Sequence, residues 1–119
     1  MMRRRSANFY SENFIAAGPS GSIAFKNDKK FLTWLKQVQK FNYQSGLQDM
    51  RVNKISSSPI GEFYTQAKVR WAARFKKTKK ELVKFEITYV LYHPTENLKI
   101  VMYISHEDPG ELMKKKQIL

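Results

Sequence analysis

The side chain with the widest chemical range in this chain is that of His106, in the segment Ser-His-Glu-Asp-Pro-Gly. An imidazole can donate or accept a hydrogen bond, and it titrates near neutral pH. Glu107 and Asp108 follow it, but Asp108 before Pro109 is typical of a helix N-cap. His106 is therefore a candidate catalytic residue. A structural role at a strand end is the alternative, since no base or nucleophile is paired with it.

The sequence gives no indication of a metal site. It contains no cysteine, and the second histidine, His93, falls in a predicted turn. Two histidines on separate turns do not have the spacing of metal ligands. We therefore predict neither a metal nor a cofactor.

Three long segments with alternating apolar residues must position these side chains. They run from Phe63 to Phe75, from Leu82 to Tyr92 and from Leu98 to Ser105, with turns at 76–80 and 93–97. A period of two is typical of strands with one face on a core. The sequence thus predicts an antiparallel sheet in the second half of the chain.

Strict alternation along these strands predicts what each face carries. The core-facing side would hold aromatic rings with polar tips, which suits a small apolar ligand. The predicted pocket consists of Trp34, Trp71, Phe85, Tyr89, Met102 and His106. The opposite side is rich in tyrosine, as protein interfaces are, and predicts a homodimer. Its predicted contact residues are Tyr64, Arg70, Glu86, Val90, Tyr92, Val101 and Tyr103.

The first half of the chain predicts helical structure before the strands. A helix begins at Asn27 or Asp28 and runs to about Phe41 or Tyr43, with apolar residues spaced by three and four. Gly46 is its predicted stop, and 50–56 is a further strand. A short final helix begins at Asp108. The order predicts a single α+β domain spanning 1–119.

Composition limits the partners and the compartment. The net charge is +12, which raises affinity for any polyanion. The clusters at 3–5, 76–80 and 114–116 lie at the termini and at a hairpin tip, so a solvated surface is favoured over nucleic-acid binding. No apolar stretch approaches the roughly 20 residues of a membrane span, and no signal peptide is evident. We expect a cytoplasmic protein.

Three segments of the sequence resemble those of a known superfamily: FYSENFIAAGPSG, FLTWLKQVQKF and GEFYTQAKVRWAARF. Together with the closing pair FEITYVLYH and LKIVMYISHED, their order resembles the nuclear transport factor 2-like superfamily, which includes ketosteroid isomerase and polyketide cyclases. The resemblance implies a curved antiparallel sheet forming a cone, with helices on its concave side. It also implies a dimer contact on the outer face of the sheet.

The resemblance does not extend to the isomerase's chemistry. Its general base precedes the proline of a turn, where this chain has Gly18, and its acidic donor falls near Ile87 or Thr88. The first helix of the superfamily has little counterpart before Phe9, so the resemblance implies either a trimmed chain or an open cone.

The function expected from the sequence is that of a small ligand-binding or accessory protein without a complete catalytic set. The first alternative is a cyclase, dehydratase or hydrolase that uses His106 in the pocket with a small apolar substrate. The second alternative is a protein that binds nucleic acid or an acidic partner through its basic surface.

Overall fold

A computed structural model describes residues 9–77 and 81–107, which form six strands and one helix. In chain order these are β1 (Tyr10–Gly18), β2 (Gly21–Lys26), α1 (Lys29–Gln44), β3 (Leu47–Ile60), β4 (Tyr64–Phe75), β5 (Leu82–Tyr92) and β6 (Lys99–Ser105). They confirm the α+β class, in the form of a cone-like sheet with α1 packed against it. The helix predicted from Asp108 and the basic clusters at 3–5 and 114–116 lie outside the described residues.

The helix follows from its end signals and its apolar stripe. The Asp28 side chain accepts hydrogen bonds from the backbone N–H groups of Lys30 and Phe31, at 3.1 and 3.2 Å. These bonds satisfy donors that no helical carbonyl can reach. At the other end the chain turns at Gly46, whose φ of 86° favours glycine. Both predicted ends of the helix are confirmed to within a few residues.

The sheet has the strand order β2-β1-β6-β5-β4-β3. Neighbouring strands are antiparallel except β1 and β6, which are parallel. The strands β4, β5 and β6 confirm the three predicted alternating segments. The strand β3 is longer than the predicted 50–56, and the hairpin of β1 and β2 was not predicted as strands.

The core lies between one face of the sheet and α1. Phe14 and Phe31 are 3% and 2% exposed, and their rings meet at 4.8 Å in an edge-to-face arrangement. A second cluster, of Ala73, Phe75 and Val83, packs with Leu47 and Phe85 on the same face, at the end of the sheet formed by β3, β4 and β5. We call the sheet face that carries Phe14 and Val83 the inner face, and its reverse the outer face.

A β-bulge in β6 decides which residues share the inner face. Val90 is paired with Met102, but the next residue, Leu91, is paired with Ile100, so the register passes over Val101. One extra residue moves every following side chain to the opposite face. Beyond the bulge, Tyr103 lies opposite Tyr89 on the inner face.

Within the described residues, no helix is both long enough and apolar enough to cross a membrane.

Candidate functional site

Tyrosine and tryptophan side chains meet on the inner face, between α1 and the middle of the sheet. Tyr89 and Tyr103 are cross-strand partners, with ring centroids 6.5 Å apart. Tyr10, from β1, lies 6.3 Å from Tyr103 and packs edge-on against Phe31 of the helix. Trp71 lies on the same face of the adjacent strand β4, opposite Phe85. We call Tyr10, Trp71, Tyr89 and Tyr103 the Tyr-Trp cluster.

Burial raises the pKa of the tyrosine hydroxyls in this cluster above their ordinary value, which already keeps them neutral at physiological pH. Desolvation raises the pKa of Tyr10 far above its ordinary value, and repulsion by the charged forms of Tyr89 and Tyr103 raises it further. Burial likewise raises the pKa of Tyr103, with a smaller contribution from Tyr89. Each tyrosine therefore remains a neutral hydrogen-bond donor at physiological pH.

The indole of Trp71 is a buried donor that reaches the Tyr89 hydroxyl without making a hydrogen bond of good geometry to it. Burial raises the pKa of Tyr89, and the nearby Trp71 indole lowers it in part. Even so, Trp71 Nε1 makes no hydrogen bond of acceptable geometry and is closed to solvent. A buried polar atom in this condition is unusual in native structures and requires an explanation.

The Tyr-Trp cluster can donate hydrogen bonds, but it cannot act as a base. An indole has no acceptor lone pair, and the tyrosines are held in their protonated form. Such a set can orient a carbonyl, ether or similar acceptor among aromatic rings. Among residues 9–77 and 81–107, no group of three or more His, Asp or Glu side chains is arranged to hold a metal ion.

Three of the six predicted pocket residues lie on the inner face: Trp71, Phe85 and Tyr89. Trp34, from α1, stacks on Phe31 at 6.0 Å and contacts Phe25 at 5.8 Å, near the β1–β2 end of the core. The placement of Met102 with Tyr89 was wrong, because the bulge at Val101 puts Met102 opposite Val90 on the outer face.

The same bulge places His106 on the outer face and not, as predicted, in the pocket. Its backbone N–H donates to the Glu86 carbonyl, and its Nε2 lies 2.6 Å from Thr88 Oγ1. Thr88 is on the outer face opposite Lys68, so the imidazole is exposed on the reverse side of the sheet from Tyr89. His106 therefore does not share the inner face with Tyr89, as the enzyme alternative had placed it.

His93 directly follows β5, in the predicted turn, and its ring is hydrogen-bonded. Its Nε2 lies 2.7 Å from Thr65 Oγ1, and its backbone N–H donates to the carbonyl of Phe63. These bonds tie the end of β5 to the start of β4, so the ring is partly buried and not freely solvated.

Because of the bulge, the predicted dimer contacts do not all lie on the outer face. Tyr64, Arg70, Glu86, Val90 and Tyr92 share the outer face as expected. The placement of Tyr103 on that face was wrong, because Tyr103 belongs to the Tyr-Trp cluster. Val101 is the bulge residue itself and has no partner across the ladder.

Gly18, which the resemblance places at the position of the isomerase's general base, lies at the end of β1. An added Cβ would lie 3.7 Å from the carbonyl oxygen of Ser105, an ordinary contact distance. Packing therefore leaves room for a Cβ at this position.

Sequence reasoning missed Tyr10 and Tyr103. Tyr103 was assigned to the wrong face because strict alternation cannot show a bulge. Tyr10 lies outside the three segments with alternating apolar residues, and the parallel pairing of β1 with β6 is a contact between distant parts of the chain. The available signal was the spacing of Tyr10 and Phe14: two aromatic residues four positions apart share one face of a strand.

A curved sheet packed on a helix, with aromatic donors on its concave side, defines a cone-like α+β protein. No family model matches the chain, and no curated protein matches it. Solved structures do. A nuclear transport factor 2-like protein with a cystatin-like fold from Novosphingobium aromaticivorans aligns with a TM-score of 0.68 at 9% identity, over 92% of this chain and 71% of that one.

Two further structures extend the comparison. A ketosteroid isomerase-like protein from Erwinia carotovora atroseptica has a TM-score of 0.62 at 11% identity, covering 87% of this chain and 79% of its own. The beta subunit of the benzoate 1,2-dioxygenase from Burkholderia mallei has a TM-score of 0.59 at 11% identity, covering 93% and 80%. The chain therefore has the nuclear transport factor 2-like fold. At these identities the likeness establishes the fold alone.

Proposed function

We propose that this protein binds a small, largely apolar ligand that presents a hydrogen-bond acceptor to the Tyr-Trp cluster. The observation that carries the proposal is the buried, unpaired Nε1 of Trp71. Leaving such a donor unsatisfied costs about 1–3 kcal/mol, and an acceptor on a ligand would recover part of that cost.

The surroundings of Trp71 support a ligand that is apolar apart from its acceptor. Tyr89 and Tyr103 supply further donors within the same aromatic wall, and burial favours their neutral forms. Ligand sites of this kind combine mostly apolar walls with a few convergent polar groups.

Binding is favoured over catalysis because the cluster contains no proton acceptor. Proton abstraction next to a carbonyl requires a base as well as donors for the developing oxyanion. The Tyr-Trp cluster offers donors, Gly18 offers no base, and His106 faces the other side of the sheet.

The test uses matched ligand pairs, in which a polycyclic ketone is compared with the hydrocarbon of the same skeleton. Thermal shift and isothermal titration should show binding of the ketone and much weaker binding of the hydrocarbon. Trp71→Phe removes only the indole donor and ring area, and it should weaken ketone binding about tenfold, the equivalent of about 1.4 kcal/mol.

Trp34→Phe is the matched control, since Trp34 stacks on Phe25 and Phe31, at the β1–β2 end of the core. It should leave ketone affinity unchanged. Equal losses in the two variants, or equal binding of ketone and hydrocarbon, would refute the role of the Trp71 donor. If no ketone binds, the proposal as a whole fails.

Self-association through the outer face stays a prediction. It is supported by the partly exposed pair of Tyr64 and Tyr92, whose rings lie 5.0 Å apart. Two similar structures are described as a dioxygenase subunit and as a putative association domain. Light scattering at micromolar concentration should report twice the monomer mass, and a monomer would contradict the prediction.

A further inference from the structure

The outer face carries a concentration of basic side chains that the linear sequence does not reveal. Arg51 and Lys54 come from β3, Lys68, Arg70 and Arg74 from β4, and Lys84 from β5. The ladder registers place all six on the same side of three adjacent strands: Arg51 opposite Ala72, Lys54 opposite Arg70, and Lys84 opposite Ala72. We call these six residues the basic face.

A bulge in β3 places two like charges directly opposite one another. Val52 is paired with Trp71 on the inner face, and the register then passes over Asn53, so Lys54 falls on the outer face directly opposite Arg70. Like charges at directly opposite positions destabilise a sheet. An anion that binds between Lys54 and Arg70 relieves their repulsion, so this pair favours anion binding.

The carboxylates on this face do not neutralise it. Glu86 lies 3.5 Å from Arg70 and 3.9 Å from Lys68, so it is shared by two cations. Asp49 is likewise shared by Arg51 at 3.7 Å and Arg74 at 3.9 Å. Across these described residues, six cations and two carboxylates leave four positive charges in excess, and Arg74 Nε is buried without an acceptor.

The basic face continues along β4 into an aromatic pair. Arg70, Lys68, Gln66 and Tyr64 follow one another at every second position, which spaces them by about 6.8 Å along the strand. Tyr64 is 39% exposed, and its ring packs on that of Tyr92 from β5. A line of cations that ends in accessible aromatic rings is how single-stranded nucleic acids are held without sequence preference.

We propose that the basic face, together with Tyr64 and Tyr92, binds a single-stranded nucleic acid, and that this binding excludes a dimer that buries the same tyrosine pair. The phosphates lie along the cations of the basic face, Lys54 and Lys84 included, and a base stacks on the tyrosine pair. Guanidinium groups suit phosphate oxygens because their planar donors can bind two of them at once. An anionic membrane would use the charges but would have no need of the aromatic pair at one end.

The experiment measures fluorescence anisotropy of a labelled twenty-nucleotide uridine strand titrated with the full chain at several salt concentrations. Lys54→Gln with Lys84→Gln removes two charges that take part in none of the four ion pairs given above. It should weaken binding several-fold and reduce the slope of log affinity against log salt by about 1.4, or about 0.7 for each phosphate contact.

Lys36→Gln with Lys40→Gln is the matched control, because it removes the same two charges from the exposed side of α1. It should change affinity and slope far less. Tyr64→Ala should weaken binding with no change in the salt slope. Circular dichroism and thermal melts confirm that every variant is folded.

Equal effects of the two lysine pairs would overturn the proposal, since binding would then reflect net charge alone. So would a salt-independent affinity or no binding of the strand. Flotation with vesicles containing phosphatidylserine is the final arm. Vesicle binding that depends on Lys54 and Lys84, without binding of the strand, would assign the face to membranes and refute the nucleic-acid proposal.

Discussion

The two faces of the sheet are formed by the same strands but have opposite chemical character. On the inner face the polar atoms are hydroxyls and an indole, held among rings and kept uncharged. On the outer face, Lys54 and Arg70 stand opposite one another in water. Because side chains alternate along a strand, one segment such as β4 can supply Trp71 to the first surface and Arg70 to the second. The fold therefore allows two surfaces of different chemistry to vary independently.

The sharpest test of this division compares one aromatic residue from each face. Phe14→Ala should lower the free energy of unfolding by about 3–5 kcal/mol, because a buried ring packed on Tyr10, Phe25 and Phe31 leaves a cavity. Tyr64→Ala, on the outer face, should cost less than about 1 kcal/mol. Urea denaturation measures both, and similar losses would contradict the assignment of the core to the inner face.

The second test separates the faces by alkaline pH. Tyr10 has a raised pKa when folded, whereas an unfolded tyrosine ionises near 10.0. Unfolding therefore releases a proton above pH 10, and the stabilising contribution, complete below that pH, falls by up to about 1.4 kcal/mol per pH unit as pH rises.

Tyr10→Phe should remove this part of the pH dependence. Urea denaturation at pH 9 and pH 11 should show a smaller decrease for the variant than for the unchanged chain. All other ionisable residues are the same in both proteins, so the difference isolates Tyr10. Identical decreases would mean that Tyr10 ionises as readily folded as unfolded.

The smallest expected effect lies on the outer face. Lys54→Glu replaces a like-charge pair with an opposite-charge pair across from Arg70, and it should raise the free energy of unfolding by about 0.2–1 kcal/mol. The gain should disappear in 1 M salt, where charges are screened within about 3 Å. A gain that persists in high salt would show that repulsion from Arg70 was not its cause.

Much of the architecture could be predicted from local patterns. Asp28 and Gly46 mark the helix because their chemistry satisfies or reverses the backbone at its ends. The alternation from Tyr64 to Phe75 indicates a strand because one of its sides is apolar. These signals lie within a few residues of the structure that they specify.

The composition of each face could be predicted only as far as the first bulge. Leu91 and Ile100 share the inner face, as alternation predicts, but beyond Val101 the prediction is inverted for Met102, Tyr103 and His106. The bulge beside Asn53 similarly moves Lys54 to the outer face. A bulge depends on how two strands pair, and the residue types within either strand do not indicate it.

The strand β3 also has a consequence for the behaviour of the protein at high concentration. It is fourteen residues long and lies at one edge of the described sheet, where an unpaired backbone can template addition of another chain. Lys54, Pro59 and the bulge beside Asn53 are three of the devices by which natural proteins prevent such addition. The charge that repels Arg70 thus also keeps copies of the protein from joining edge to edge, so its modest cost in stability is offset by protection against aggregation.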